Sequence, residues 1–367
     1  MALVEFYKPR SLSGQRLDRY LAGGWFRSSN GLFRNRLLCL EGKLCTVVNI
    51  RLPLKNHTFS ASHKRLLKKT EHFTVEIAPL SICPQMDVLY DLTKKRFKGF
   101  VFPELHSFLF DYLDRNVFSS WHVKIYDGKR LIAASVFDFG KTSVMSVLGM
   151  YDPEYRRVSP GILTMLHEIK WAKEQNYKLY YPGYVLDEAA TFDYKLSLGE
   201  YTFMNASKRW TKDYDKVVTE SPVHGINQGS NELERALLEL KIPHQRLLYK
   251  LFSLGYAYPE GTFSRQQIIF VLPELSDNPF KISLAAYDYD NDLFRLSHPL
   301  PIQDTYLSEN QSSEFLDPHV YYDMILQDST DDHSFSTSVT SLVAEINRLW
   351  MKRSQKNPVG HVFLGKP

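Results

Sequence analysis

Trp121-His122-Val123-Lys124-Ile125-Tyr126-Asp127-Gly128-Lys129-Arg130-Leu131-Ile132-Ala133-Ala134-Ser135-Val136-Phe137-Asp138-Phe139 holds the pattern on which the architecture rests. Trp121 to Tyr126 reads as a strand, and Asp127-Gly128 is a hairpin signal because glycine accepts the left-handed backbone such a turn needs. Leu131 to Phe139 reads as a second strand, broken by Gly140-Lys141, and Ser143 to Met150 as a third, ended by Tyr151-Asp152-Pro153. Ser159 suits an N-cap and Pro160 a first helical turn. Ile162, Met165, Leu166, Ile169 and Ala172 then recur at helical spacing to about Gln175. Lys178 to Tyr181 is a short strand that stops at Pro182-Gly183, and 189–204 holds a helical piece and a last strand.

The order is therefore β-β-β-α-β. An antiparallel meander followed by a helix and one strand is the core of acetyltransferase-like (GNAT) folds, whereas a parallel doubly wound sheet alternates strand and helix throughout. The expected class is α+β: an acetyltransferase-like mixed sheet at 116–215, a basic N-terminal subdomain at 1–115 and an α/β C-terminal extension at 216–367.

Outward from the core, Val47, Val48, Ile50 and Leu52 form a β-like run stopped by Pro53, and Phe73 to Ile77 alternates as a strand. Ser60 or Ser62 caps a short helix through His63-Lys64-Arg65-Leu66-Leu67-Lys68-Lys69. Pro84 opens another, with Met86, Leu89, Tyr90 and Leu92 on its apolar side and Lys94-Lys95-Arg96-Phe97-Lys98 at its end. Phe100-Val101-Phe102 leads to a helical stretch from about Glu104 to Asp114. On the C-terminal side, 221–230 reads as a polar linker. Asn231 and Glu234 resemble a capping box for a helix with Leu233, Leu237, Leu238 and Leu240. A second helix follows Pro243 to Phe252. Gln267 to Leu272 is a strand, 304–332 an acidic loop and Thr337 to Lys352 a final helix.

The 367 residues carry a net charge of +4, unevenly placed. Residues 1–130 hold 22 Lys/Arg against 11 Asp/Glu, a net of +11, and the remainder nets −7. Such polarity expects an anionic partner on the N-terminal face; an unevenly decorated surface is the ordinary alternative. Lys64, Arg65, Lys68, Lys69, Lys94, Lys95 and Arg96 are the candidate nucleic-acid contacts. The last three also complement a helix dipole. A third cluster, Lys208-Arg209-Trp210-Thr211-Lys212, places an aromatic among bases, a combination that holds phosphates and stacked bases. The apolar share of 44% and charged share of 23% are those of a folded chain. No apolar run reaches a membrane span, and Met1 to Arg10 lacks a secretory h-region. Cys39, Cys45 and Cys83 form neither a complete disulfide set nor a zinc pattern, and Cys39 and Cys45 read as ordinary small core residues. A soluble, reduced, cytoplasmic protein is expected.

Three stretches resemble the aminoacyl-tRNA–protein transferases, the arginyl and bacterial leucyl enzymes of the N-end rule. Arg51-Leu52-Pro53 with Phe59-Ser60-Ala61-Ser62-His63-Lys64-Arg65-Leu66-Leu67-Lys68-Lys69 is similar to the family's β segment and basic run. Leu89-Tyr90 through Arg96-Phe97 is similar to its tyrosine-bearing helix. Tyr151-Asp152-Pro153, Ser159-Pro160-Gly161, Tyr180-Tyr181-Pro182-Gly183-Tyr184 and Tyr194-Lys195 follow its order and approximate spacing. The resemblance spans about 20–212. The family's N-terminal cysteine motif is not intact, and Ala189-Ala190-Thr191-Phe192-Asp193 stands where it has a cysteine-proline-lysine-methionine run, so the chain reads as a divergent member.

The resemblance implies transfer of an amino acid, arginine, from aminoacyl-tRNA to the N-terminal amine of an acceptor protein, without cofactor or metal. Its implied substrate residues are Tyr151, Asp152, Arg156, Arg157, Ser159, Gly161, Gly183, Tyr184, Tyr194 and Lys195; the catalytic group is left open. Arg156, Arg157 and Lys195 are the cations available to an acidic acceptor. Gly183-Tyr184 and Tyr194-Lys195 are expected close together beside the helix start near Ser159. Tyr151, Tyr180, Tyr181 and Tyr184 also read as half-buried strand aromatics, Asp152 as a turn residue and Gly183 as a bulge. Coenzyme A-dependent acyl transfer is the weaker alternative, since Pro160 removes one donor from the Arg156-Arg157-Val158-Ser159-Pro160-Gly161 loop. An inactive binding module on the same fold is the third.

Overall fold

The computed structural model describes residues 3–97, 102–187, 192–273, 275–304, 317–328 and 333–356. The expectations for Lys98 to Val101, Ala189 to Thr191 and most of 304–332 lie outside the described residues. The chain divides into two compact units, one of Phe6–Arg36 and Thr46–Glu220, the other of Met1–Glu5, Leu37–Cys45 and Ser221–Pro367.

The first unit is built on a mixed sheet. Its strands are β1 (Lys43–Pro53), β2 (Thr74–Pro79), β3 (Ser120–Asp127), β4 (Arg130–Phe139), β5 (Ser143–Tyr151), β6 (Leu179–Tyr181), β7 (Tyr184–Leu186), β8 (Thr202–Met204) and β9 (Trp210–Thr211). The order is β9-β8-β1-β6-β5-β4-β3-β2, with β7 also on β1. The antiparallel meander β3-β4-β5 is where the alternation placed it, and β6 returns parallel to β5.

Helices cover both faces of the meander, which is why β4 is apolar almost throughout. α4 (Pro160–Glu174) buries Leu163, Leu166, Ile169 and Ala172 against Val123, Ile125, Ile132, Phe137 and Val144. On the opposite face α3 (Pro84–Lys94) buries Met86, Leu89 and Tyr90 against Leu131, Ala134, Val136, Leu148 and Met150. α1 (Gly14–Ala22), capped by Ser13, and the hairpin Phe26–Ser28/Gly31–Asn35 add a smaller core with Leu17, Leu21, Phe26, Met145 and Tyr181. α2 (Ala61–Lys69) starts at Ser60, whose hydroxyl accepts from the His63 N–H.

Two local expectations need correction here. Ser159 does not cap α4 with its side chain. It ends the 3-10 turn Pro153–Val158 in the left-handed region, φ 45°, and its own N–H bonds Arg156 O. The helix expected over 104–114 is only Leu105–Leu109, because the Asp111 carboxylate accepts from the N–H groups of Leu113 and Arg115 and closes a turn instead.

In the second unit, α5 (Pro222–Glu239), β10 (Gln245–Tyr249), β11 (Ile268–Leu272), β12 (Ser283–Asp288), β13 (Leu293–Ser297), β14 (His333–Ser336) and α6 (Val339–Lys356) enclose a core with Leu233, Leu237, Tyr249, Phe270, Leu284, Leu296 and Ile346. The expected linker at 221–230 is helical. Ser221 caps it, accepting from the Val223 N–H, and Pro222 opens it, so the start lies ten residues before Asn231. Gly229 sits in this helix because a Cβ there would lie 2.4 Å from the Tyr287 ring. The helix expected after Pro243 is the strand β10, paired with β11 through Arg246 to Phe270. β-branching and apolarity at 268–271 supply the partner that overrides the leucines' helical propensity.

Candidate functional site

β6 pairs with β5 only through Leu179 to Tyr181, opposite Ser143 to Met145. The chain then bends at Pro182-Gly183 and continues as β7 along β1. Beyond Met145, β5 has no strand partner on that edge among the described residues, so the sheet opens between β5 and β6. Gly183 makes the bend at φ 101°, a backbone that side chains resist, and its carbonyl accepts from the Ile50 N–H at 3.3 Å.

Lys195 reaches this bend from the 3-10 turn Asp193–Leu198. A Cβ at Gly183 would lie 3.3 Å from Lys195 Nζ. Nζ donates to Tyr184 O at 3.3 Å and lies 5.6 Å from the Tyr184 ring centroid and 5.0 Å from that of Phe192. Burial lowers the Lys195 amine to about 8. The Tyr201 hydroxyl donates to Lys195 O and fixes the turn from behind. The structure thus brings Gly183, Tyr184 and Lys195 together. Tyr184 is half-buried, held edge-on by Phe26 and Phe192.

Tyr151, at the end of β5, lies under the Arg96 guanidinium, 4.0 Å from ring to Cζ, and Arg96 also donates to Tyr151 O. A Cβ at Gly161 would stand 3.8 Å from the same ring. Tyr194 is 47% exposed, and Tyr151 and Glu168 are near enough to raise its phenol beyond what burial does. Arg96, Tyr151 and Gly161 therefore meet at the start of α4, with Tyr194 near enough to Tyr151 to feel its charge.

Glu168 is a charged residue midway along α4. It is fully buried. Tyr180 donates to its Oε2 at 2.7 Å, and Oε1 is buried without a hydrogen-bond partner. Burial pushes its carboxyl up to about 7, against the opposing effect of the Ser135, Tyr180 and Ser146 hydroxyls. The apolar repeat through Leu163, Met165, Leu166, Ile169 and Ala172 is complete without it, so a charged side chain at this position gives no sign of burial.

Other implied residues are placed differently. Asp152 is committed to the protein: Oδ1 accepts from the Glu154 N–H and Oδ2 from Arg130. Arg156, Arg157 and Ser159 are exposed. Lys64, Arg65, Lys68 and Lys69 are all exposed on α2 while His63 and Thr70 turn inward. Lys94 pairs with Asp91 at 2.7 Å and donates to Pro103 O, and Lys95 is exposed. In the third basic cluster, Arg51 lies over the Trp210 ring at 4.2 Å and Tyr181 meets that ring edge-on. Cys39 and Cys45 are both buried, and burial pushes the Cys39 thiol up to about 12. Among the described residues no group of three or more His, Cys, Asp or Glu could hold a metal ion, and no helix is long and apolar enough to cross a membrane.

Residues 85–205 match the family profile described as arginine-tRNA-protein transferase, C terminus. A protein of Shewanella sp. (strain MR-4) named aspartate/glutamate leucyltransferase is 31% identical over 180 residues, 48% of this chain and 74% of its own length. A protein of the same name from Helicobacter hepaticus is 28% identical over 222 residues, 53% of this chain and 89% of its own. Among solved structures, L-PGS from Bacillus licheniformis aligns at a TM-score of 0.32 with 13% identity, over 52% of this chain and 55% of that one. The glucosamine N-acetyltransferase region of a fungal multi-domain β-N-acetylglucosaminidase aligns at 0.29 with 14% identity, over 54% of this chain and 22% of that one.

Proposed function

This chain belongs to the aminoacyl-tRNA–protein transferase family, and on that premise we propose that it moves arginine from arginyl-tRNA to the N-terminal amine of proteins that begin with an acidic residue. The unit Phe6–Arg36 and Thr46–Glu220 is read as an acetyltransferase-like sheet with the reaction at the β5/β6 opening. The observation that carries the reading is the meeting of Gly183-Tyr184 with Lys195 at that opening, with the Tyr151/Arg96 stack at the neighbouring helix start.

The donor ester is already activated, so the protein's task is mostly to hold two substrates in attack geometry, which supplies effective molarity. The acceptor's nitrogen attacks the ester carbonyl, the tetrahedral oxyanion collapses, and the 3′ oxygen of the tRNA leaves. Tyr184 and Tyr194 offer aromatic surface to the terminal adenosine, Gly183 lets a substrate approach the backbone, and Arg156 and Arg157 are the exposed cations available to an acidic acceptor. Arginine is chosen on the matched profile; leucine is the donor that the relatives' names carry. Incubation with arginyl- or leucyl-tRNA and peptides beginning with Asp, Glu or Arg tests this. Arginine on the Asp and Glu peptides is the expected product. Leucine alone on those peptides overturns the donor, and transfer from neither tRNA overturns the reading.

The basic helix α2 is the proposed tRNA contact, with Lys94, Lys95 and Arg96 of α3 as a second cluster. Changing Arg65, Lys68 and Lys69 together to Ala is expected to weaken charged-tRNA binding. The slope of log affinity against log salt should flatten by about one per lost phosphate contact at most. All three are exposed and off the cores, so the melting temperature should hold. An unchanged salt slope moves the tRNA to another face.

A further inference from the structure

We propose that Lys195 acts as the proton acceptor for the attacking N-terminal amine, not as a fixed cation that holds an anion. The inference deepens the transferase reading and rests on it. Its grounds are geometric. Lys195 makes no ion pair with a carboxylate among the described residues, and among them the single hydrogen bond of its amine is to Tyr184 O at 3.3 Å. The groups around it are named by element. Tyr184 comes from β7, Phe192 immediately precedes the turn Asp193–Leu198 and Tyr194 lies within it. Tyr201 binds Lys195 O and not its amine. Glu168 of α4 acts on Tyr194, and Asp193 acts on Tyr214. A Cβ at Gly183 would stand 3.3 Å from Nζ, so the amine packs directly against the glycine bend from which β7 begins.

The two rings favour the charged amine, and the loss of water disfavours it. Burial lowers the amine to about 8, close to the ordinary value of the α-amino group it would serve. Neutral Lys195 takes one proton from the acceptor's ammonium, and the freed nitrogen attacks the ester carbonyl. On collapse the nitrogen loses a second proton to water and keeps the third as the amide N–H. Lys195 returns its proton to the departing 3′ oxygen and is neutral again.

Arginine separates a base from a cation, because its guanidinium keeps its proton in proteins. Single-turnover transfer by the full chain, with saturating acceptor peptide, is read from pH 6 to 9.5. Lys195→Arg is expected to lower the rate about 100-fold or more, with charged-tRNA affinity and melting temperature kept. A second variant guards against misfolding: Lys195→Cys in a Cys83→Ser background, alkylated with 2-bromoethylamine. It restores an amine that the nearby sulfur makes less basic. It should recover transfer, with the rise in rate shifted to lower pH, whereas titration of the acceptor's own amine cannot move. A Lys195→Arg rate and profile equal to the parent's, or a restored amine whose profile does not shift, overturns this proposal alone. No transfer by the parent chain from any charged tRNA overturns the transferase reading and this one with it.

Discussion

Asp138→Ala is expected to destabilise the transferase unit by about 3–5 kcal/mol, the range for removing one partner of a buried ion pair. Arg27 Nη1 lies 2.9 Å from Asp138 Oδ1, with side-chain exposures of 1% and 0%. Ser120 donates to the same carboxylate, and Arg27 also donates to Leu109 O and Ser29 O and stacks on Phe118 at 4.4 Å. Removing Asp138 leaves the guanidinium with no water and no counter-charge. Arg27→Met with Asp138→Leu removes both charges at similar volume and should cost far less than Asp138→Ala. Urea unfolding, followed by hydrogen exchange of the β4 amides, reads both variants. A cost below about 1 kcal/mol for Asp138→Ala means that the pair is open to water.

The second large effect belongs to Glu168 and depends on pH. Its folded carboxyl sits near 7 against an ordinary 4.5, because burial outweighs the hydroxyls around it. A raised carboxyl holds its proton more tightly in the folded chain than in the unfolded one. Its neutral form is therefore fully compatible with folding below about 4.5, and stability falls as pH rises from there through 7. At about 1.4 kcal/mol per pH unit the whole window is worth roughly 3 kcal/mol. Glu168→Gln keeps an oxygen for Tyr180 and removes the titration. It should flatten the slope between pH 5 and 7 and be roughly 2–3 kcal/mol more stable than the parent at pH 8. Equal slopes in the two proteins would mean that Oε1, unpartnered here, is charged and solvated in both states.

The sequence by itself determined the meander β3-β4-β5, α4 and the return strand β6, because alternation, the Asp127-Gly128 turn and a 3.6-residue apolar repeat are local signals that agree with one another. It also determined that Lys64, Arg65, Lys68 and Lys69 share one short helix, since Ser60 or Ser62 caps a run that ends at Lys69, whereas the inward placement of His63 and Thr70 came from the structure. Long-range pairing was beyond it. Gln245 to Tyr249 is rich in leucine and becomes a strand only because Ile268 to Val271 pairs with it. The helix at Pro222 hid behind two glycines that make sense only against Tyr287 and Tyr289. At the site, Gly183, Tyr184, Tyr194 and Lys195 were legible as a motif, yet their chemistry was not. Whether Lys195 is a solvated cation or a desolvated amine, and whether Glu168 faces water or the buried Tyr180 hydroxyl, depends on how much solvent the surrounding strands exclude. Only the tertiary structure decided that, since desolvation is a property of everything packed around a group and not of its neighbours in sequence.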